Sequence, residues 1–316
     1  MASNIWKYVT DEESGIVTRR VNISTAKGGE DVKIVHMTDL HFNICTEDDL
    51  KNDALASTHK GRKWLAEGKS VPYAEKCLDY AERIGADHIV ITGDVLDFLS
   101  QGALDAMKRL IWDRFGDGIT VTLGNHDATR LVQAEKGIVD PTTLESRLEI
   151  LQNNWGHNIF YSSRVFGEKV MIVQMDDASA DRFWEIQLPL LRADLDRARA
   201  EGLAVLLFYH IPLQTMDPAD REAHAVLVGD PASAEDNFCD GEDLVGPHSS
   251  EASAEIYELI TNSADVIKGC FCGHWHNDFY NEIKAKKPDG TEEVIPQYTL
   301  IGTPYKPHHL LEITVS

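Results

Sequence analysis

Five short segments carry the chain's capacity for chemistry: Asp39-Leu40-His41, Gly93-Asp94-Val95-Leu96-Asp97, Gly124-Asn125-His126-Asp127, His210 and Gly273-His274-Trp275-His276. Asp39, His41, Asp94, Asn125, His210, His274 and His276 offer oxygen or imidazole nitrogen donors. A mixed set of this kind suits two borderline divalent metals better than the all-oxygen sphere of calcium or magnesium. Two adjacent metals are a recurring device for displacing an oxygen at phosphorus. The pattern therefore predicts metal-dependent cleavage of phosphate esters.

Each segment has its own logic. Asp-x-His after a strand predicts two donors on one side of an extended backbone, because residues i and i+2 point the same way. His274 and His276 repeat that spacing. Gly93 lets the chain turn tightly beneath Asp94, whose carboxylate can either bridge two metals or cap a helix. Asn125 supplies a carbonyl oxygen without charge. His126, flanked by Asp127, is the candidate acid for a leaving alkoxide, provided the carboxylate holds its tautomer.

These side chains need a scaffold that brings strand ends together. Apolar runs predict strands at 34–37, 88–92, 119–123, 170–175, 205–209 and 266–272. Helical patterns lie between them near 73–83, 104–115, 143–151, 188–200 and 252–261, the third started by Pro141 and the fourth with Pro189 in its first turn. Strands alternating with helices predict an α/β fold with a sheet covered on both faces. At 278–283, 293–301 and 310–315 the chain reads as strands joined by turns, an expected antiparallel extension, and 17–24 reads as a strand at a sheet edge. One domain over 1–316 is the simplest organisation. The stretches 42–71 and 214–250 read as long and irregular, and such segments are usually functional or disordered. The second is expected to form a lid or rim at the site, the alternative being a disordered surface insertion.

Composition bounds the partners. Of 316 residues, 43% are hydrophobic, enough for a packed core, and the formal charge is −22. Such a surface repels polyphosphate backbones, so no nucleic-acid partner is expected. A small phosphate ester drawn to a local cationic centre is the expected substrate. The first 25 residues lack an apolar segment of signal-peptide type, and no run reaches membrane-spanning length. Five cysteines, an odd number, fit a reducing compartment, so the expected location is the cytoplasm, with no membrane partner. Cys270 and Cys272 read as core residues.

The five blocks, in this order, resemble the calcineurin-like metallophosphoesterase superfamily over roughly 33–316. Tyr209-His210-Ile211-Pro212-Leu213 and the block from Phe271 to Phe279 are most similar to its purple-acid-phosphatase-related branch. The resemblance implies a two-sheet sandwich flanked by helices. It implies one metal on Asp39, His41, Asp94 and His276, and a second on Asp94, Asn125, His210 and His274. It also implies that His126 is the acid or a transition-state contact, with Asp127 orienting it. Both ions are expected to be divalent, or a mixed-valence pair, of the Mn/Fe/Zn class, generating a hydroxide nucleophile from water. One position departs from the branch: the tyrosine that colours its iron centre lies three residues after the bridging Asp, where this chain has Asp97. Asp97 is expected to hydrogen-bond within the metal loop or to cap the following helix. Among the other histidines, only His59 and His248, on the long segments, are candidates for substrate contact.

Hydrolysis of a small mono- or diester is thus the leading expectation. A nuclease fits the same residues but is opposed by the acidic charge. A non-catalytic binding scaffold would have dispensed with ligands that this chain keeps.

Overall fold

The computed structural model describes residues 8–129, 131–133, 138–139, 142–180, 182–213, 251–303 and 308–316. Two six-stranded mixed sheets pack face to face with helices on both outer faces, an α/β sandwich. The first sheet contains β1 (Tyr8–Thr10), β2 (Val17–Ile23), β3 (Val32–Met37), β4 (His88–Thr92), β5 (Ile119–Thr122) and β14 (His309–Val315), in the order β1-β2-β14-β3-β4-β5. A small antiparallel ribbon, β6 (Val132–Gln133) and β7 (Ile138–Val139), stands apart. The second sheet contains β8 (Tyr161–Phe166), β9 (Val170–Met175), β10 (Ala204–Phe208), β11 (Ile267–Cys272), β12 (Phe279–Lys286) and β13 (Glu292–Thr299), in the order β12-β13-β11-β10-β9-β8.

The burial pattern follows from this layering. β4, β5, β9 and β10 are buried at every position, as expected of strands covered on both faces. Most of β12 alternates buried with exposed residues, because it is an edge strand. Between the sheets, Ile34, Val90 and Ile313 meet Ile172, Leu206 and Phe208. Phe271 stacks between Phe208 and Tyr298, with ring centroids 4.9 and 5.2 Å away, and His36 stands edge-on to Phe208. Each such side chain taken from water contributes about 1.5–3 kcal/mol.

Outside the first sheet lie α1 (Asp53–Gly61), α2 (Ser70–Arg83), α3 (Gln101–Met107), α4 (Asp113–Phe115), α5 (Asn125–Ala128) and α6 (Leu144–Asn154); α2, α3 and α6 bury their apolar faces there. α7 (Gln187–Glu201) and α8 (Glu251–Thr261) cover the second sheet. A five-residue π-helical turn, Lys108–Trp112, joins α3 to α4. No helix among the described residues is long and apolar enough to cross a membrane.

Topology places the chemistry. β3, β4 and β5 run parallel, and so do β9, β10 and β11. Their carboxyl ends therefore gather the loops carrying Asp39, Asp94 and Asn125 on one sheet, and His210 and His274 on the other.

Several expectations need correction. The edge of the first sheet is β1, and the 17–24 strand lies one place inside it, pairing with both β1 and β14. The 42–71 stretch holds α1, capped by the Asn52 side chain, and two short 3-10 turns. The C-terminal extension is antiparallel only between β12 and β13. β13 joins β11 in parallel, and β14 crosses to the first sheet beside β3. Helix α6 starts at a Thr143 cap, whose side chain accepts from Ser146 N; Pro141 lies outside the described residues. The same holds for 214–250 and its His248.

Candidate metal centre

The loops at the strand ends do not run extended. Asp39, His41, Asp94, His274 and His276 have φ of 54°, 47°, 51°, 71° and 52°. This left-handed region is costly for residues with side chains. The spacing argument from extended backbone is thus corrected: alternating donors converge because each bearer turns left-handed, while Leu40 between them fills the core. Neighbouring contacts hold these turns. Asp39 N donates to Gly93 O at 3.0 Å, and His41 N to Asp94 O at 2.8 Å.

Glycines let the loops close on one another. Gly93 has φ +80°, and a Cβ there would run into the His210 ring and lie 2.7 Å from Gly124 Cα. At Gly273 a Cβ would collide with Thr38 Oγ1 and lie 2.5 Å from Asp39 Oδ2. Both glycines are spacers that let one ligand-bearing loop lie against another.

Two groups of donors result. In the first, Asp39, His41, Asp94 and His276 each present one atom, all within 4.8 Å of one another. His276 Nε2 is 3.0 Å from Asp39 Oδ1 and 3.0 Å from His41 Nε2. In the second, Asn125 Oδ1 is 3.1 Å from both His210 Nε2 and His274 Nδ1, and those nitrogens are 3.3 Å apart. Asp94 Oδ2 joins the groups, 3.7 Å from His41 Nε2 and 3.5 Å from His210 Nε2. Carboxylate, carbonyl and imidazole donors at such spacing fit divalent first-row cations.

Hydrogen bonds behind the donors fix their orientation. His210 Nδ1 donates to Thr92 O at 2.7 Å, which turns Nε2 toward Asn125. His41 Nδ1 donates to Asp97 Oδ1 at 3.2 Å, which leaves Nε2 to face the group. Asp97 also accepts from Arg62 Nε at 2.7 Å and from Asn43 Nδ2 at 3.1 Å. It thus bonds within the loop, and the cap of α3 is Ser100. Asn43 in turn meets His59 Nδ1 at 2.5 Å. Thr38 Oγ1 donates to Asp39 Oδ2 at 2.6 Å.

His126 borders the open side with His276, their side chains 25% and 28% exposed. Its Nδ1 donates to the Asp97 carbonyl oxygen at 3.0 Å. The expected orienting contact from Asp127 gives way to this one. Both Asp127 oxygens are engaged below the site, by Leu96 N and Gly124 N at 2.7 Å each, so Asp127 ties two ligand loops together. A residue missed in the sequence does the same on the other sheet: Asp177 accepts from His210 N at 3.0 Å and from Ile211 N. It follows the β9 run as Asp39 follows β3, and that was its signal.

Protonation follows the same layout. Burial pushes the Asp94 carboxyl up, but the charges of His210 and His126 together outweigh it and hold Asp94 well below the ordinary range. For Asp39, burial is outweighed by His276 and His210, leaving it at about 2. Burial lowers His210, yet Asp94 and Asp39 raise it to about 10. For His274 burial dominates, with His210 adding to it, and brings it to about 3. Burial, reinforced by Asp94, pushes Asp127 well up, and burial raises Asp177 to about 8. The two carboxylates Asp39 and Asp94 thus stay charged within the buried centre, beside the imidazoles that face them.

A family profile described as calcineurin-like phosphoesterase matches residues 32–278. The chain belongs to that family. Every donor of both groups falls within the matched range, so the calcineurin-like phosphoesterase assignment covers the whole centre, and the family implies divalent metal ions there. In overall structure this phosphoesterase is similar to a dimetal phosphatase from Danio rerio, at 12% identity and TM-score 0.44, covering 86% of this chain and 87% of that one. It is also similar to a purple acid phosphatase from yellow lupin seeds, at 11% identity and TM-score 0.43, covering 90% and 44%. A third is a putative 5′-nucleotidase from Staphylococcus aureus, at 12% identity and TM-score 0.39, covering 86% and 55%. The chain spans about half the length of the last two. No curated protein matches its sequence.

Proposed function

We propose that this phosphoesterase hydrolyses phosphate mono- or diesters of small molecules at a two-metal centre. Asp39, His41, Asp94 and His276 hold one ion, and Asp94, Asn125, His210 and His274 the other. The observation that carries this reading is the position of Asp94 Oδ2 between the Nε2 atoms of His41 and His210, at 3.7 and 3.5 Å. One carboxylate oxygen facing both donor groups is what a shared ligand requires. Manganese, iron and zinc all accept such donors.

When bound, such ions lower the pKa of water and offset the charge of the phosphoryl oxygens. The chain's own residues do the rest. Asp97 and the Thr92 carbonyl hold the His41 and His210 tautomers that leave Nε2 free to bind. His126, with Nδ1 committed to the Asp97 carbonyl, exchanges its proton through Nε2. Water gives up a proton as its oxygen bonds to phosphorus, and the ester P–O bond breaks. The departing oxygen takes a proton from His126, and the proton that water gave up restores the histidine.

The test is a panel of mono- and diesters assayed with manganese, zinc, iron and cobalt, alongside elemental analysis. Metal-dependent turnover that disappears on chelation is expected. Inactivity on every ester with metal bound would leave a scaffold, not an enzyme.

A further inference from the structure

Part of the first donor group hangs on a loop whose far end is held outside the donors. From β11 the chain turns through Gly273-His274-Trp275-His276 and enters β12 at Phe279. β13 lies between β11 and β12, so the loop has to span a strand position. Its near end is tied to the other ligand loops: Gly273 N donates to His210 O at 3.0 Å, and His274 N to Asp39 Oδ2 at 3.1 Å. Its far end is tied by Asp278, two residues beyond His276.

The Asp278 carboxylate meets three other segments. Oδ2 pairs with Arg19 Nη2 of β2 and accepts from His309 Nδ1 of β14 at 2.8 Å. Oδ1 accepts from Ile301 N at 2.9 Å. The Arg19 side chain is 1% exposed and that of Asp278 12%, so solvent screens the pair little. Arg19 is fixed in turn by Tyr8 of β1, whose hydroxyl accepts from Nη2 at 2.5 Å. The Ile301 contact leads back to the donors. Two residues on, Thr303 N donates to Thr38 O at 3.0 Å, and Thr38 precedes Asp39. Asp278 therefore reaches, through one short segment, the loop of the carboxylate that lies 3.0 Å from His276 Nε2. His276 depends on such support, because its φ of 52° is costly and its side chain is 28% exposed, where packing fixes it less than the buried donors.

We propose that Asp278 is a positioning residue for the first ion. Clamped to β2 and β14 on one side and to the 301–303 segment on the other, it holds the left-handed turn of His276 so that Nε2 faces Asp39 and His41. His274, beside the near anchor, serves the second ion and is independent of it. This inference rests on the two-metal reading above and adds a residue that shapes one of its two sites.

The experiment compares wild type with Asp278→Asn and with the double variant Arg19→Met/Asp278→Leu. The second removes both buried charges, a change that often leaves a fold as stable as before, and so carries the test if the single variant does not fold. Calorimetric titration of the metal-free chains with manganese reads two affinities, and hydrogen exchange of the same metal-free chains reads the loop itself. In both variants one affinity should fall roughly 10–100-fold, the usual worth of a group that orients a ligand, while the other keeps its wild-type value. Amides of residues 273–279 should exchange faster, with those of β4 and β9 unchanged. A pair that only stabilised the fold would give back the affinity in the double variant. Wild-type affinities and exchange in Asp278→Asn, an equal loss at both ions, or affinity restored in the double variant overturns the proposal. Wild-type protein that binds fewer than two ions would instead sink the two-metal reading, and the exchange rates would still decide whether Asp278 anchors the loop.

Discussion

His41 and His276, which lie 235 positions apart in the chain, bring their Nε2 atoms to 3.0 Å of each other. His41 has its Nδ1 proton on Asp97, so its Nε2 presents a lone pair. Either a proton on His276 donated to that lone pair or a cation beside both nitrogens satisfies this distance. We expect elemental analysis of the reconstituted protein to give two metal ions per chain, and His276→Ala to lose one. Chelation should lower the melting midpoint, since ligands that bind only the folded state stabilise it. Metal content identical in wild type and His276→Ala would remove that histidine from the ligand set.

His126 touches Asp97 and packs edge-on to His41, but its ring lies outside both donor groups as assigned. His126→Ala should therefore keep both ions and lose about 10²–10⁴-fold in turnover, the usual worth of a general acid. The loss should shrink for nitrophenyl esters, whose leaving group needs little protonation. An equal loss on alkyl and nitrophenyl esters would point to transition-state contact without proton transfer.

Gly273 is a spacer between the two ends of the first donor group. Gly273→Ala places a methyl against Thr38 Oγ1 and Asp39 Oδ2. Overpacking of this kind costs roughly 1–3 kcal/mol, and here the loop bearing His274 and His276 has to shift. A urea titration should register the loss, and metal affinity should fall with it. Wild-type values for both would mean that the loop yields without cost.

Two histidines away from the donors contribute to the acid limb of stability. Burial brings His36 and His88 from 6.5 to about 3 in the fold, with Arg164 also lowering His88. Between pH 6.5 and 3 the unfolded chain takes up protons that the folded chain refuses. Their contribution is thus fully present above about 6.5 and lost as pH falls toward 3. Each histidine accounts for about 1.4 kcal/mol per pH unit in that window. The His36→Gln/His88→Gln double variant should show a shallower decline in unfolding free energy between pH 6.5 and 4.5. An unchanged slope would assign acid sensitivity elsewhere.

Much of this architecture was legible before any coordinates. The runs at 88–92 and 170–175 match β4 and β9 residue for residue, because fully buried strands leave unbroken apolar stretches. β8 escaped, since Tyr161–Phe166 is mixed and half-buried at the rim of its sheet. The donor residues were legible as types and spacings, whereas their left-handed backbone was not: nothing in Asp-Leu-His distinguishes a turn from a strand. Asp127 was read through its neighbour in sequence, but its carboxylate serves two backbone amides, one of them 31 residues away. Arg62 lay hidden in a stretch whose polar residues obscured α1 and its exit.

β14, the last strand along the chain, lies between β2 and β3, paired with β2 over His309–Val315 and with β3 over Leu311–Val315. Ribosomes deliver residues in order, so β2 and β3 emerge early and must wait, unjoined, for 309–315. β3 leads directly into Asp39, and the first sheet cannot close around that residue until its central member arrives. A nascent chain paused before residue 309 therefore lacks the strand that completes this sheet beside the Asp39 loop.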